Sequence, residues 1–316
     1  MRHRRRACWL LTAVLVLTGC SAKPTAHPAA HPVAPRVASA PAQASAAPEP
    51  SIPAAPSTPA PGVPGFDHVV VAVFENHGYG RVIGAPEAPY LNRLAAGGVL
   101  LTDSHGVTHP SQPNYLALFA GSTEAVTDDG CPRDFAGTAN LGSQLLQAGR
   151  TFAGYSEGLP GTGYRGCAGG DGYARKHNPW VDFTALPAGV NRPYPDFPAD
   201  FGQLPSVSFV VPNLCDDMHD CPVSTGDGWA AAHLDGYAHW AGTHNSLLIV
   251  TWDEDEGTGA STGGHIPTIL AGAHLTPGRY AGAVDHYRIL RTVEAAFGLP
   301  GLGAAAARDP IEGIWN

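Results

Sequence analysis

Four runs of β-branched and large aliphatic residues punctuate the chain: HVVVAVF (68–74), SVSFVVP (206–212), SLLIVTW (246–252) and IPTILAG (266–272). Each run is nearly continuous in apolar residues and does not alternate with polar ones. That is the pattern of a strand buried on both faces, as in a parallel sheet covered by helices. Stretches with helical spacing lie between and around them: APYLNRLAAGG (88–98), NLGSQLLQAGR (140–150), GWAAAHLDGYAHWAG (228–242) and YRILRTVEAAFGL (287–299). Strands alternating with helices predict an α/β fold, a three-layer α/β/α sandwich with a mostly parallel central sheet. Ligands of such sheets gather at the carboxyl ends of the strands, so the residues just after each run are the candidates for chemistry.

Those residues are polar at three separate strand ends. The first run is followed by Glu75, Asn76 and His77, the second by Asn213 and CDDMHDC (215–221), and the third by Asp253, Glu254, Asp255 and Glu256. One acidic strand end is an ordinary helix cap or solvated turn. Three at one sheet edge predict a shared site. Adjacent carboxylates repel, and any that are shielded from water need a compensating cation. Oxygen ligands suit Mg, Mn or Ca, with Fe or Zn also admissible. A calcium-binding EF-hand loop is excluded, because the position that must carry Glu is Gly264. Asp253 and Glu254, nearest the strand, are the expected ligands; Asp255 and Glu256 are expected to face solvent.

The segment THPSQPNYLALFAGST (108–123) sets Ser111 between Pro110 and Pro113 at the start of a helical stretch. Alone, such a Ser is most often an N-cap. Beside a divalent cation its oxygen becomes a usable nucleophile at neutral pH. His109 lies two residues earlier; His177, His219, His265 and His286 follow in other segments. Imidazoles can hold phosphoryl oxygens or pass a proton to a leaving alkoxide. His177 and His219, in polar loops, are the stronger candidates, whereas His286 opens a helix and reads as structural.

The first 20 residues read as an export signal. Arg2, Arg4, Arg5 and Arg6 precede an apolar run of about ten residues, which is too short to span a bilayer permanently. Leu17-Thr18-Gly19-Cys20 looks like a lipobox, which makes Cys20 a lipidation candidate; the bland alternative is a secretory signal with an incidental Cys. Residues 21–65 are Ala-, Pro- and Ser-rich without apolar periodicity, and read as a disordered tether. Residues 66–316 are long enough for one large catalytic core. The whole chain has 18 Lys and Arg against 27 Asp and Glu, and loss of the four signal arginines brings it near −13. That acidity argues against a nucleic-acid partner and against electrostatic docking on anionic lipid. No later segment is long and apolar enough to cross a membrane.

Beyond Cys8 and Cys20 there are four cysteines, which in an exported domain allow three disulfide pairings. Cys131–Cys167 with Cys215–Cys221 is favoured, because the second pair closes a short loop around DDMHD. A metal-thiolate site is disfavoured by the absence of Cys-x-x-Cys.

Six segments in order, FENHGYG, THPSQPNYLALFAGST, YARKHNPWVDF, CDDMHDC, LLIVTWDEDEG and DHYRILRTVEAAFGLP, resemble the bacterial phosphoesterase family of acid phosphatases and phospholipases C, within the alkaline-phosphatase-like superfamily. The resemblance implies a single-metal site formed by Glu75, Asn76, Ser111, Asp253 and Glu254, with Ser111 as nucleophile. It also implies His177 and His219 at the phosphate, His109 nearby, and Asn114 and Asp217 in contact with substrate. Tyr115 stands where sulfatases carry Arg, and the segment also departs from the phospholipase pattern. The expectation is therefore an exported acid phosphatase acting on phosphomonoesters, phospholipid head groups included, as a monomer anchored through Cys20 to the outer membrane face or secreted. The alternatives are a phospholipase C or other phosphodiesterase, and a non-catalytic lipoprotein that binds metal or phosphate.

Overall fold

A computed structural model describes residues 62–257 and 263–316. The signal, Cys20 and most of the Pro-rich stretch lie outside the described residues. The end of that stretch belongs to the folded part: Val63 is buried in the same cluster as Phe66, whose ring meets Trp315 near the C-terminus.

In chain order the main elements are β1 (His68–Phe74), α1 (Tyr79–Val82), α2 (Pro89–Gly97), β2 (Val99–Leu101), β3 (Ser104–His105), α3 (Ser111–Ala120), α4 (Leu141–Gln147), β4 (Phe152–Ser156), β5 (Asn191–Pro193), β6 (Val207–Val211), α5 (Val223–His233), α6 (Asp235–Ala241), β7 (Ser246–Trp252), β8 (Thr268–Gly272), β9 (Gly278–Tyr280), β10 (Val284–Asp285) and α7 (His286–Ala296). Eight strands form one sheet in the order β5-β4-β6-β1-β7-β8-β2-β9. The pairs from β5 to β7 are parallel, and β8 runs antiparallel to both neighbours. The sheet is thus mostly parallel, as the apolar runs predict.

Period-two alternation divides β1 between two cores. Val69, Val71 and Val73 pack with Phe119 of α3, Leu145 of α4 and Ile289 and Val293 of α7. Val70, Ala72 and Phe74 pack with Leu91 of α2, Ala230 of α5 and Tyr237 of α6. Burying each such side chain contributes about 1.5–3 kcal/mol, which is why apolar residues dominate both faces of the central strands. Gly154 of β4 has a local reason to lack a side chain: its Cβ would fall 2.0 Å from the indole of Trp180.

Two elements depart from the sequence reading. The helix expected over 228–242 is two helices meeting at Leu234, and the first begins five residues earlier at Val223. The residues VSTGDG have weak helix propensity, and tertiary contacts override it. Asp227 there is buried and its carboxylate takes the amides of Tyr90 and Leu91, which α2 leaves free in its first turn. The short strands β2, β4, β5 and β9 lacked the long apolar run that marked the others.

Glu294 of α7 is fully buried, accepts from Leu302 N at 2.9 Å and lies near Arg291. Burial, opposed by that amide and by Arg291, raises its carboxyl to about 7 from an ordinary 4.5. The folded state therefore holds this proton more tightly than the unfolded chain does. Its contribution to stability is full below the unfolded value and is lost as pH rises through about 7. In urea denaturation, stability should fall between about pH 5 and pH 8, and Glu294→Gln should remove on the order of 1–3 kcal/mol of that fall. Parallel pH profiles for the two proteins would show that the slope comes from elsewhere.

Candidate active site

The end of β1 delivers Glu75, whose amide donates to Asp217 O at 2.8 Å and whose carboxylate is fully buried. Asn76 then turns the chain in the left-handed region (φ 53°), which Asn tolerates better than most residues. The turn aims the Asn76 amide at Asp253 Oδ1, 3.0 Å away. Because β1 and β7 run in register to Phe74 and Trp252, Asp253 follows its strand level with Glu75, and its amide donates to Phe74 O at 3.0 Å. His286, at the start of α7, donates from Nε2 to Asp253 O at 2.6 Å. Its ordering role matches the structural part read from the sequence.

Ser111 opens α3 between these two strand ends. Its Oγ lies 2.9 Å from Glu75 Oε2 and 3.4 Å from Glu254 Oε1, and the residue is 2% exposed. One helical turn on, Tyr115 donates its hydroxyl to Glu75 Oε1 at 2.5 Å. His109 closes the other side, with Nδ1 2.9 Å from Glu254 Oε2. Asn76, His109, His219 and Glu254 line an open pocket of about 680 Å³. Three other clefts, of about 460–470 Å³, lie away from these residues.

Cys215–Cys221 and Cys131–Cys167 are both disulfides, the pairing favoured from sequence. The short loop of the first carries Asp217 and His219 beneath the pocket. Asp217 Oδ1 accepts from His219 N at 2.8 Å, and its Oδ2 lies 3.2 Å from His177 Nδ1. The other nitrogen of His177 faces Glu75 Oε1 at 3.1 Å. His219 Nδ1 is 2.7 Å from Asp220 Oδ1. One donor atom each from Glu75, His177 and His219 falls within 4.8 Å of the others, so the imidazoles that sequence placed at the phosphate also belong to the possible donor set for a cation.

These residues fit a divalent cation. Burial, then mutual repulsion, drives Glu75 well above its usual range and Glu254 up to about 9. Burial takes Asp253 and Asp217 to about 7. Joint ionisation of such carboxylates requires positive charge among them. Asp253 Oδ2, Asp217 Oδ2 and His177 Nε2 are buried without an aligned hydrogen-bond partner, which leaves lone pairs for coordination. Oxygen and imidazole donors together suit a borderline divalent ion as well as a hard one.

Several residues are placed differently from the sequence reading. Asn114 is fully buried and engaged: its Oδ1 accepts from Val107 and Thr108, and its Nδ2 reaches Thr108 O and Glu254 Oε2. It shapes the loop before Ser111 and steadies Glu254, and presents no free group to a substrate. Asp217 is likewise buried, with one oxygen facing the His177 imidazole and the other accepting from the His219 amide. Asp255 and Glu256 do not simply face solvent. Asp255 Oδ1 accepts from Gly257 N, while Glu256 accepts from Gly78 N at 2.7 Å and Arg81 Nε at 2.9 Å, tying the third strand end to the first. His265 stacks on Tyr79 at 4.4 Å, outside the cluster. Tyr115, at the position where sulfatases carry Arg, lies four residues from Ser111, and that spacing is the signal that puts both on one helix face.

The mostly parallel sheet, covered by helices on both faces, is a three-layer α/β/α sandwich. A protein of the alkaline phosphatase superfamily from Vibrio parahaemolyticus superposes with a TM-score of 0.58 at 15% identity, covering 81% of this chain and 73% of that one. The Phosphoesterase family profile matches residues 84–300, and the chain belongs to that family of hydrolases. It is 47% identical over 259 residues to the phosphatidylinositol-3-phosphatase of Mycobacterium tuberculosis, across 81% of this chain and 85% of the relative. An acid phosphatase of Aspergillus fumigatus is 30% identical over 229 residues, across 66% of this chain and 51% of its own length. The chain thus spans about half of that fungal relative. No described helix is long and apolar enough to cross a membrane.

The contrast between His286 and Glu256 is measurable. His286→Ala removes a buried ring and the donor to Asp253 O, and should cost about 2–4 kcal/mol in urea denaturation. Glu256→Ala breaks a half-exposed pair with Arg81 and should cost about 1 kcal/mol or less. Equal costs would contradict the assigned difference in burial.

Proposed function

We propose that this chain is an exported, metal-dependent phosphomonoesterase of the acid-phosphatase type that works through a phosphoserine. The observation that carries the reading is Ser111 Oγ, buried at the start of α3 with Glu75 Oε2 at 2.9 Å and Glu254 Oε1 at 3.4 Å. The phosphatidylinositol-3-phosphatase and acid phosphatase names of the relatives support the substrate class, including a phosphoinositide head group. The basic signal and lipobox support export, with Cys20 as the lipid anchor, the Pro-rich stretch from 21 to about 61 as the tether and the remainder, Val63 included, as the catalytic domain.

Glu75, Asn76, Ser111, Asp253 and Glu254 would hold the divalent cation, with His177 and His219 within reach. When bound, it supplies neutralisation of phosphoryl charge and activation of the serine oxygen. As Ser111 Oγ attacks phosphorus, its proton passes to the carboxylate in contact with it, at Glu75 Oε2. The P–O bond to the leaving group breaks, and His219 Nε2 protonates the departing alkoxide. Asp220, bonded to Nδ1, steadies the imidazolium before that transfer. Neutral His219 then takes a proton from water as the water oxygen attacks phosphorus, the bond from phosphorus to Ser111 Oγ breaks, and Glu75 returns its proton to Ser111. His177, held between Glu75 and Asp217, orients both carboxylates around the reacting centre. Tyr115 keeps Glu75 turned toward Ser111. As in other phosphoryl transfers, positioning and charge complementarity are the main sources of rate.

Ser111→Ala and Asp253→Ala should each lower turnover of p-nitrophenyl phosphate by at least about 1,000-fold. Asp255→Ala, whose carboxylate serves the rim, should stay within about tenfold of wild type. Bound metal, counted by plasma mass spectrometry, should fall in the Asp253 variant and remain in the Asp255 variant. A Ser111→Ala enzyme with near-wild-type turnover would sink the proposal. Faster release from phosphatidylcholine than from a monoester would favour the phospholipase alternative.

A further inference from the structure

Lys176, directly before His177, is the one lysine among the described residues. Its ammonium lies 2.8 Å from Asp129 Oδ2. The other oxygen of that carboxylate accepts from Gln112 N at 3.0 Å, the amide that follows Ser111. Asp129 therefore bridges the ammonium to the residue beside the proposed nucleophile. The loop that bears it is tied down by the Cys131–Cys167 disulfide two residues on.

The neighbouring cations have other tasks. Arg175 is buried and engaged by Asp182 Oδ1, Asp134 Oδ1 and the carbonyls of Arg165 and Arg133. Arg81 is held on the outer rim by Glu256. Lys176 differs in two respects. Its side chain and that of Asp129 keep 20% and 30% of their exposure, so the pair is open to solvent and to an incoming anion on one side. Its position is the second: a cation at ordinary pH, it is joined through Asp129 to the Gln112 amide beside Ser111.

We propose that Lys176 is a specificity-determining residue that supplies positive charge for the second negative charge of a phosphomonoester, with Asp129 holding it in place until a phosphoryl group takes over the contact. A diester carries one negative charge and gains less from the same ammonium. Lysine suits the task, being a compact charge on a flexible stem that can move from carboxylate to phosphoryl oxygen. The exchange involves no covalent step. The inference rests on the monoesterase reading above and adds the group by which the site counts charge.

The test compares wild type, Lys176→Met, Lys176→Arg and Asp129→Asn with intact metal content. kcat/KM is measured on p-nitrophenyl phosphate, and bis(p-nitrophenyl) phosphate serves as substrate or competitive inhibitor. Lys176→Met should lose on the order of 10- to 100-fold on the monoester, mainly through KM, and about threefold or less on the diester. Lys176→Arg should recover most of the loss. Asp129→Asn should bind inorganic phosphate several-fold more tightly, because the competing carboxylate is gone. Equal losses on both esters, or no loss, overturn the proposal. So does an Asp129→Asn enzyme whose inhibition by phosphate is unchanged or weaker, a result independent of whether the methionine variant folds. Wild type without monoester turnover would instead refute the underlying reading, and calorimetric phosphate affinity of the same variants would still decide the role of Lys176.

Discussion

Four carboxylates shut away from water at the ends of adjoining elements are the constraint on which the rest of the site depends. Glu75, Asp217, Asp253 and Glu254 are all buried, and burial together with mutual repulsion opposes their joint ionisation. The sheet forces the proximity. Register between β1 and β7 sets Glu75 and Asp253 level, and the amide of Glu75 takes the carbonyl of Asp217. The surrounding groups then serve those carboxylates: the Asn76 amide and the Tyr115 hydroxyl each face one of them, and the Ser111 hydroxyl and the His177 imidazole each face two. Such a cluster is destabilising by itself and becomes favourable with a cation, so it makes sense as a site and poor sense as a core.

Rigidity around the cluster has identifiable sources. Two prolines bracket the start of α3, Asn114 ties the preceding loop to Glu254, and His286 anchors the backbone of Asp253. The Cys215–Cys221 loop holds Asp217 below His177 and His219 with few residues to spare. Preorganisation of this kind is what phosphoryl transfer asks of a protein, because the chemistry depends on charge and alignment more than on covalent help from side chains. The rim is built otherwise. Arg81 and Glu256 form an exposed pair that can exchange partners at small cost, and Lys176 and Asp129 form a second pair open to solvent on one side.

Much of this was legible in the chain. Long runs such as HVVVAVF and SLLIVTW announced central strands because burial on both faces leaves a strong local signal. The strand ends announced the acids because polar residues straight after such runs have few other reasons to be there. The short strands and the break at Leu234 were not legible. Their conformation is set by neighbours: Gly154 accommodates Trp180, and Asp227 is drawn into a helix by the free amides of α2. Local propensity carries no record of either partner.

The sequence by itself determined the layered α/β plan, the strand ends that carry chemistry and Ser111 at the head of its helix, and it favoured one of three cysteine pairings. These follow from periodicity, from turn residues and from spacing along the chain. The tertiary structure decided which polar groups share the work. It turned Asn114 and Asp217 inward as supports, gave Glu256 to the first strand end, brought His177 between two carboxylates and set Lys176 on Asp129. Those assignments join residues tens to hundreds of positions apart. Their energy is electrostatic and depends on distance and burial, which exist only once the chain has folded.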